Sequence, residues 1–304
     1  MPRKLDYKNK ICRKMKKESL LKRKFKLYWP LIKSLQTGLL LVTGITGYVS
    51  ARCPVMTWQT FAGLTISLFL TVSGSTILNM WYDRDIDAKM NRTGHRPLPS
   101  GNLNPNEALA LGLVVSFIGV AIALSMSVLY GIIVFAGLFI DVVIYTIWLK
   151  RKTAWSIVWG GISGGMPILA GRVLGTGQID WIGIMFTLAI LLWIPTHILT
   201  FSMKYYEDYQ RAGIPTFPST YGNHKTRIII ALSSLGAAIA IATVAYGIGL
   251  SWGYLRLFAV LTVGIIGLAS FSVFKPSEHV NFGLFKYASL YMLGSMIMVI
   301  IGAL

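Results

Sequence analysis

Asn79, Asp83 and Asp87 recur at intervals of four in NMWYDRDIDAKMNRTGHRPLPSG, the segment from Asn79 to Gly101. At about 100° per residue, steps of four drift by only ~40°, so a helix carries this amide and two carboxylates on one face. Asp85 lies ~200° from Asp83 and points elsewhere, towards a neighbouring cation or solvent. Such a row repels itself unless a divalent ion sits between its oxygens. Mg2+ suits it, because one or two carboxylates hold this ion while substrate phosphates complete its shell. Mn2+ prefers the same oxygen donors and is the expected substitute. Lys89, Arg92 and Arg96 follow, donors suited to phosphate oxygens. Acids for metal, then cations for phosphate, read as a diphosphate site. The competing reading is a solvated helix end whose acids pair with Arg84, Lys89 and Arg92.

A second cluster, YYEDYQRAGIPTFPSTYG, offers Glu207 and Asp208 followed by Arg211. Its RAGIPTFPSTYG echoes the RTGHRPLPSG of the first, with Arg, Gly, Pro and Ser in the same order. If the two clusters face one cavity, metal ions between them can hold a single diphosphate.

The elements that must position these groups follow from composition. Hydrophobic residues make up 54% of the 304, charged residues 13%, and the mean hydropathy is +0.61. A soluble domain of this size needs more charge to cover its surface. Apolar runs recur along the chain, each long enough to cross a hydrocarbon core of ~30 Å. The fold class is an all-α polytopic membrane protein. Nine transmembrane spans are read at 34–51, 57–78, 106–127, 129–149, 154–174, 181–202, 228–249, 254–274 and 284–303, forming a bundle around a central cavity. Residues 1–33 make a basic tail and 34–304 the transmembrane domain.

Of the 29 Lys and Arg, all but Arg52, Arg172 and Arg256 fall in the tail, in the segments after the even-numbered spans or, for Lys286, at the very start of the ninth span on that same side. The positive-inside bias therefore puts the N-terminus and both acidic loops in the cytoplasm and the C-terminus outside. The acids sit four spans apart on one side, at span ends. A transporter would gather its charges near the bilayer midplane instead.

The net charge of +18 is then a membrane signal and not a nucleic-acid one. Much of it lies in RKLDYKNKICRKMKKESLLKRKFK, with apolar Ile11, Met15, Leu20, Leu21 and Phe25 interspersed. This is either an interfacial helix on anionic lipid or a disordered charged tail. It lacks the Ser-rich, Arg-dominated character of a transit peptide. Cys12 and Cys53 fall on opposite sides of the membrane, so they do not pair.

Four motifs in order resemble the UbiA-type intramembrane prenyltransferases. NMWYDRDID resembles their NxxxDxxxD. EDYQRAGIPTFP, IYTIWLKRKTAWSIVWGGISGGMPILAG and LLWIPTHILTFSMKYYEDY resemble segments of the protohaem IX farnesyltransferase branch. The likeness runs from about residue 30 to the C-terminus. It departs at Ser156, Met166, Arg172 and Thr216, and Tyr205 and Tyr209 stand at the spacing where many members carry DxxxD in the second loop.

The resemblance implies transfer of a farnesyl group from farnesyl diphosphate to a vinyl carbon of haem B, with water added, giving haem O. It assigns the metal to Asn79, Asp83, Asp87 and Asp208, with Glu207 less central. Asp83, Asp87 and Asp208 become the catalytic acids, and Lys89, Arg92, Arg96, Lys150, Arg151 and Arg211 the diphosphate donors. Lys150 and Arg151 also fit plain positive-inside anchors. His197, one turn after Trp193, contacts the haem or hydrogen-bonds within the bundle. Haem B enters as substrate, in the cell membrane, with the active site facing the cytoplasm and a downstream haem-modifying or oxidase-assembly protein as recipient. A quinone precursor, a chlorophyllide or a glycerol lipid is the alternative acceptor within the family. Gly160, Gly161, Gly164 and Gly165 suit close helix packing. Asp141, an acid inside the fourth span, calls for a function or a partner; the family usually has an aromatic or aliphatic residue near there, and the resemblance does not explain it.

Overall fold

The computed structural model describes residues 20–52 and 57–304, and is helical, with no strand among them. The basic tail before Leu20, and both cysteines, lie outside the described residues. A short helix, Leu20–Tyr28, and a 3-10 turn, Trp29–Ile32, lead into the bundle.

The long helices are α1 (Ser34–Ser50), α2 (Trp58–Tyr82), α3 (Pro105–Met126), α4 (Val128–Leu149), α5 (Ser156–Thr176), α6 (Trp181–Lys204), α7 (Asn223–Gly247), α8 (Trp252–Phe274) and α9 (Glu278–Ala303). From α2 onward these are eight helices long and apolar enough to cross a membrane, while α1 has 17 residues. Their starts follow local chemistry. Thr57, Asn104, Asp180 and Ser277 each cap a free backbone N–H with a side-chain oxygen, and Pro105 follows Asn104 at the first helical position.

Each long helix packs on the next, and α9 closes on α1. Contacts of α1 with α5 and of α6 with α9 divide the ring into two closed groups, α1–α5 and α6–α9. Each group has its own apolar core: Leu64, Leu68, Tyr130 and Ala170 in the first, Phe186, Ile241, Ile265 and Tyr291 in the second.

The α1–α5 crossing is backbone against backbone. A Cβ on Gly47 would meet the Ile168 carbonyl oxygen at 2.0 Å, and one on Gly171 the Gly44 carbonyl oxygen at 1.9 Å. Small residues permit that approach. In the GGISGGMP segment, Gly161 and Gly165 face Leu191 and Thr187 of α6, while Gly160 faces the Tyr145 ring. Close packing is therefore what these glycines provide. Phe117, Phe135, Val260 and Val263 point outward, as the lipid-facing side of a multi-pass membrane protein requires.

Candidate active site

The apolar helix α2 ends at Tyr82, and its backbone ladder carries on through Asp83 into the short helix Arg84–Asp87. The Asp83 N–H donates to the Asn79 carbonyl at 2.9 Å and the Asp87 N–H to the Asp83 carbonyl at 2.8 Å. The row of Asn79, Asp83 and Asp87 is thus held almost as one helix, with both carboxylates buried.

Their cations come from elsewhere in the chain than the adjacent residues. Lys150 Nζ donates to Asp83 Oδ2, and Arg96 Nη1 to Asp87 Oδ2 at 2.9 Å. Burial works against charge on Lys150, but Tyr145 and Asp83 beside it keep the ammonium above the usual lysine range. Asp85 stands apart, as its angle on the helix requires. Arg151 grips it with two nitrogens at 2.8 and 2.7 Å, which holds its carboxyl below the usual range. The solvated-end pairing with Arg84, Lys89 and Arg92 does not form. Arg84 turns back to the Trp81 carbonyl, Lys89 is exposed, and Arg92 lies over the Phe201 and Tyr205 rings at 4.9 and 5.4 Å.

The two acidic loops meet. Asp208 is buried and accepts the backbone N–H groups of Asn91 and Arg92, both at 3.2 Å, with Arg211 at 3.6 Å. Glu207 beside it is exposed. Asp208 therefore straps the second loop to the first.

Several buried polar atoms at this end lack a hydrogen-bond partner among the described residues: Asp83 Oδ1, Arg92 Nε and Arg151 Nε. Arg151 Nη2 lies 3.8 Å from Asp83 Oδ1, beyond hydrogen-bond reach. An unsatisfied buried acceptor costs about 1–3 kcal/mol, more when charged. One free carboxylate oxygen and two free guanidinium donors fit a cation and a phosphate respectively. No three His, Cys, Asp or Glu side chains among the described residues form a closed cage. The donor set therefore suits Mg2+, which takes one or two carboxylates and draws its remaining ligands from a bound phosphate and water.

Lys33 was not among the expected site residues. It sits between the 3-10 turn and α1 in the left-handed region, φ 44. Its ammonium is lowered to about 8, because burial disfavours its charge and Arg96 and Lys150 repel it, with Asp141 and Asp87 also in range. Counted by sequence with the basic tail, it is a member of the cation cluster. Asp141 also has partners: Asn79 Nδ2 donates to it at 2.8 Å and Ser75 Oγ at 2.5 Å.

His197 lies deeper, stacked on Trp193 at 5.0 Å and Phe285 at 4.5 Å, with Nδ1 3.1 Å from Ser289 Oγ. Trp193 Nε1 donates to the Ala288 carbonyl at 2.7 Å. With Phe201 and Tyr205 they form an aromatic wall along α6 and α9 that ends at Arg92.

The model of the UbiA prenyltransferase family matches residues 40–290. The chain is 42% identical over 220 residues to protoheme IX farnesyltransferase of Archaeoglobus fulgidus, covering 72% of this chain and 77% of that protein. It is 37% identical over 266 residues to the protein of the same name from Pyrobaculum arsenaticum, covering 86% and 94%. A digeranylgeranylglyceryl phosphate synthase structure superposes with a TM-score of 0.77 at 21% identity, over 92% of this chain and 99% of that one. A UbiA homologue from Archaeoglobus fulgidus bound to DMAPP and Mg2+ does so with 0.67 at 16% identity, over 90% and 99%. With the acidic row, the cations that answer it and the helical ring all in this register, the chain belongs to the UbiA prenyltransferase family.

Proposed function

We propose that this protein is a haem O synthase, transferring the farnesyl group of farnesyl diphosphate to the vinyl group of haem B in a Mg2+-dependent reaction. The observation that supports the reaction class is the group of buried polar atoms without a hydrogen-bond partner among the described residues where the two acidic loops meet: Asp83 Oδ1, Arg92 Nε and Arg151 Nε. The acceptor rests on the relatives named protoheme IX farnesyltransferase. Mg2+ is supported by its presence with DMAPP in the homologue of the same fold.

Asn79, Asp83 and Asp87 would hold the metal, with Asp208 closing the second loop over the first and Glu207 at its margin. Mg2+, or Mn2+ in its place, supplies Lewis-acid neutralisation of the diphosphate leaving group. Arg92, Arg96, Lys150 and Arg151, with Lys89 and Arg211 at the rim, take up the charge that develops as the C–O bond ionises. The apolar helices around the site would shield the allylic carbon from bulk water until the vinyl π electrons form the new C–C bond. Water then adds at the resulting cationic carbon and a proton is lost. Farnesyl diphosphate, haem B and water thereby become haem O, diphosphate and a proton. Trp193 and His197 would lie on the haem side of the site, held within the bundle by Phe285, Ser289 and the Ala288 carbonyl.

The chain is read as nine crossings of the cell membrane with the clamp on the cytoplasmic side. Support comes from the bonds of Arg52 after α1 to the Gly249 and Gly302 carbonyls, at 3.4 and 3.3 Å, which gather the α7–α8 turn and the end of α9 at the far end of the bundle. A downstream haem-modifying or oxidase-assembly protein would receive the product. Proteoliposomes given haem B, farnesyl diphosphate, Mg2+ and a quinone precursor test the acceptor. A haem gaining the mass of farnesol, a farnesyl group and a hydroxyl added across the vinyl double bond, is the expected product. Prenylation of the quinone precursor with the haem unchanged would overturn the assignment.

A further inference from the structure

Asp141 is an acid inside a membrane helix, where an ionisable side chain is costly unless partnered. It lies in Ile140–Leu149, the part of α4 that is wound as a π-helix. Its Oδ2 receives Asn79 Nδ2 at 2.8 Å and Ser75 Oγ at 2.5 Å, both from α2, and its Oδ1 lies 3.4 Å from Ser163 Oγ of α5. Thr146, five residues further along α4, is fully buried and donates to Asn79 Oδ1 at 2.8 Å. Asn79 is therefore held at both ends of its amide, the nitrogen by Asp141 and the oxygen by Thr146.

The π winding explains how one helix does this. In an α-helix, residues five apart point about 140° away from each other. In a π-helix, whose bonds run from i to i+5, they stack one turn apart on the same face. The Lys150 N–H donates to the Tyr145 carbonyl at 2.8 Å, which is that i to i+5 pattern. Asp141 and Thr146 thus reach one amide because the helix is widened where they sit.

The hold has a chemical consequence. An amide oxygen can ligate a hard cation and an amide nitrogen cannot. Thr146 gives no preference between the two, since its hydroxyl either donates or accepts. A carboxylate only accepts, so Asp141 decides which way the amide faces. With one lone pair of Asn79 Oδ1 taken by Thr146, the other is left for a cation.

We propose that Asp141 is a positioning residue of the prenyl-transfer site, fixing the Asn79 amide so that its oxygen, and not its nitrogen, is offered to the divalent cation. The inference rests on the proposed metal role of Asn79. Outer partners of metal ligands typically change affinity by about 10–100-fold when removed.

The test is Mn2+ binding to the purified full-length protein, followed by electron paramagnetic resonance with inorganic pyrophosphate present, together with thermal unfolding. Asp141→Leu is expected to weaken Mn2+ binding by at least about tenfold. In an Asn79→Ala background the same change should add less than about twofold, because residues acting through one another are not additive. Asp141→Asn should recover most of the affinity: its carbonyl still accepts from Asn79, and its NH2 can face Ser163, whose hydroxyl already donates to the Gly160 carbonyl at 3.0 Å. If Asp141→Leu does not fold, Asp141→Ala removes the acceptor without adding bulk and carries the same expectation. Unchanged Mn2+ affinity in the folded Asp141 variants, with Asn79→Ala still impaired, would overturn the inference alone. Additive losses, or Asp141→Asn as impaired as Asp141→Leu, would also overturn it. Mn2+ binding insensitive to both Asn79→Ala and Asp83→Asn would overturn the metal reading on which it stands.

Discussion

The two ends of the bundle each bury charge, and they treat it in opposite ways. At the end where α5 meets α6, Arg172 has a partner for every guanidinium nitrogen. Nε and Nη2 donate to Asp180 at 3.0 and 2.6 Å, and Nη1 reaches Ser50 of α1. Asp180 in turn caps α6 by accepting the Gly183 N–H at 2.9 Å. Burial raises the Asp180 carboxyl, but Arg172 and that N–H outweigh it and hold it below the usual range. At the Asp83 end, a buried carboxylate oxygen and the Nε atoms of Arg92 and Arg151 stay without hydrogen-bond partners among the described residues. Complete satisfaction marks a clamp that holds three helices together. Incomplete satisfaction marks a place kept open for something that is bound.

That contrast can be broken or sharpened by mutation. The largest expected effect is Asp83→Asn, which should lower farnesyl transfer at least about a hundredfold while the unfolding temperature barely moves. Steady-state turnover and scanning calorimetry on the same preparation decide it. Arg172→Met should do the reverse. Stripping one partner from a buried pair costs about 3–5 kcal/mol, so chemical denaturation should shift while turnover per folded molecule is kept. Next comes Arg92→Ala, expected to raise the KM for farnesyl diphosphate about tenfold. Arg92→Lys should rescue it poorly, because lysine has neither the planar fork nor the face that stacks on Phe201. The smallest effect belongs to Asp85→Asn. Its ion pair with Arg151 is largely exposed, and such pairs contribute ~1 kcal/mol or less, so activity should stay within about threefold.

Much of this was legible in the residues. The four-residue spacing of Asn79, Asp83 and Asp87 survives in the backbone ladder, and Asp85 diverges because a helix turns by a fixed angle. The apolar runs became helices with ends shifted by a few residues; α2 runs on to Tyr82 and α7 begins at Asn223, because polar residues continue a helix past the hydrocarbon boundary. What stayed hidden depends on pairing across the bundle. Spacing within one segment cannot show that Lys150 answers Asp83 or that Asp208 spends its oxygens on the backbone of Asn91 and Arg92. Lys33 looked like one more basic residue of the tail. Asp141 was visible as an acid in the wrong place, but its partner required knowing that α4 widens into a π-helix.

The most direct measurement is the mass of the haem recovered from membranes containing the protein, haem B, farnesyl diphosphate and Mg2+, for the wild type and Asp83→Asn side by side. The account predicts haem O from the wild type and unmodified haem B from an equally folded Asp83→Asn. Equal yields of haem O from both would contradict it.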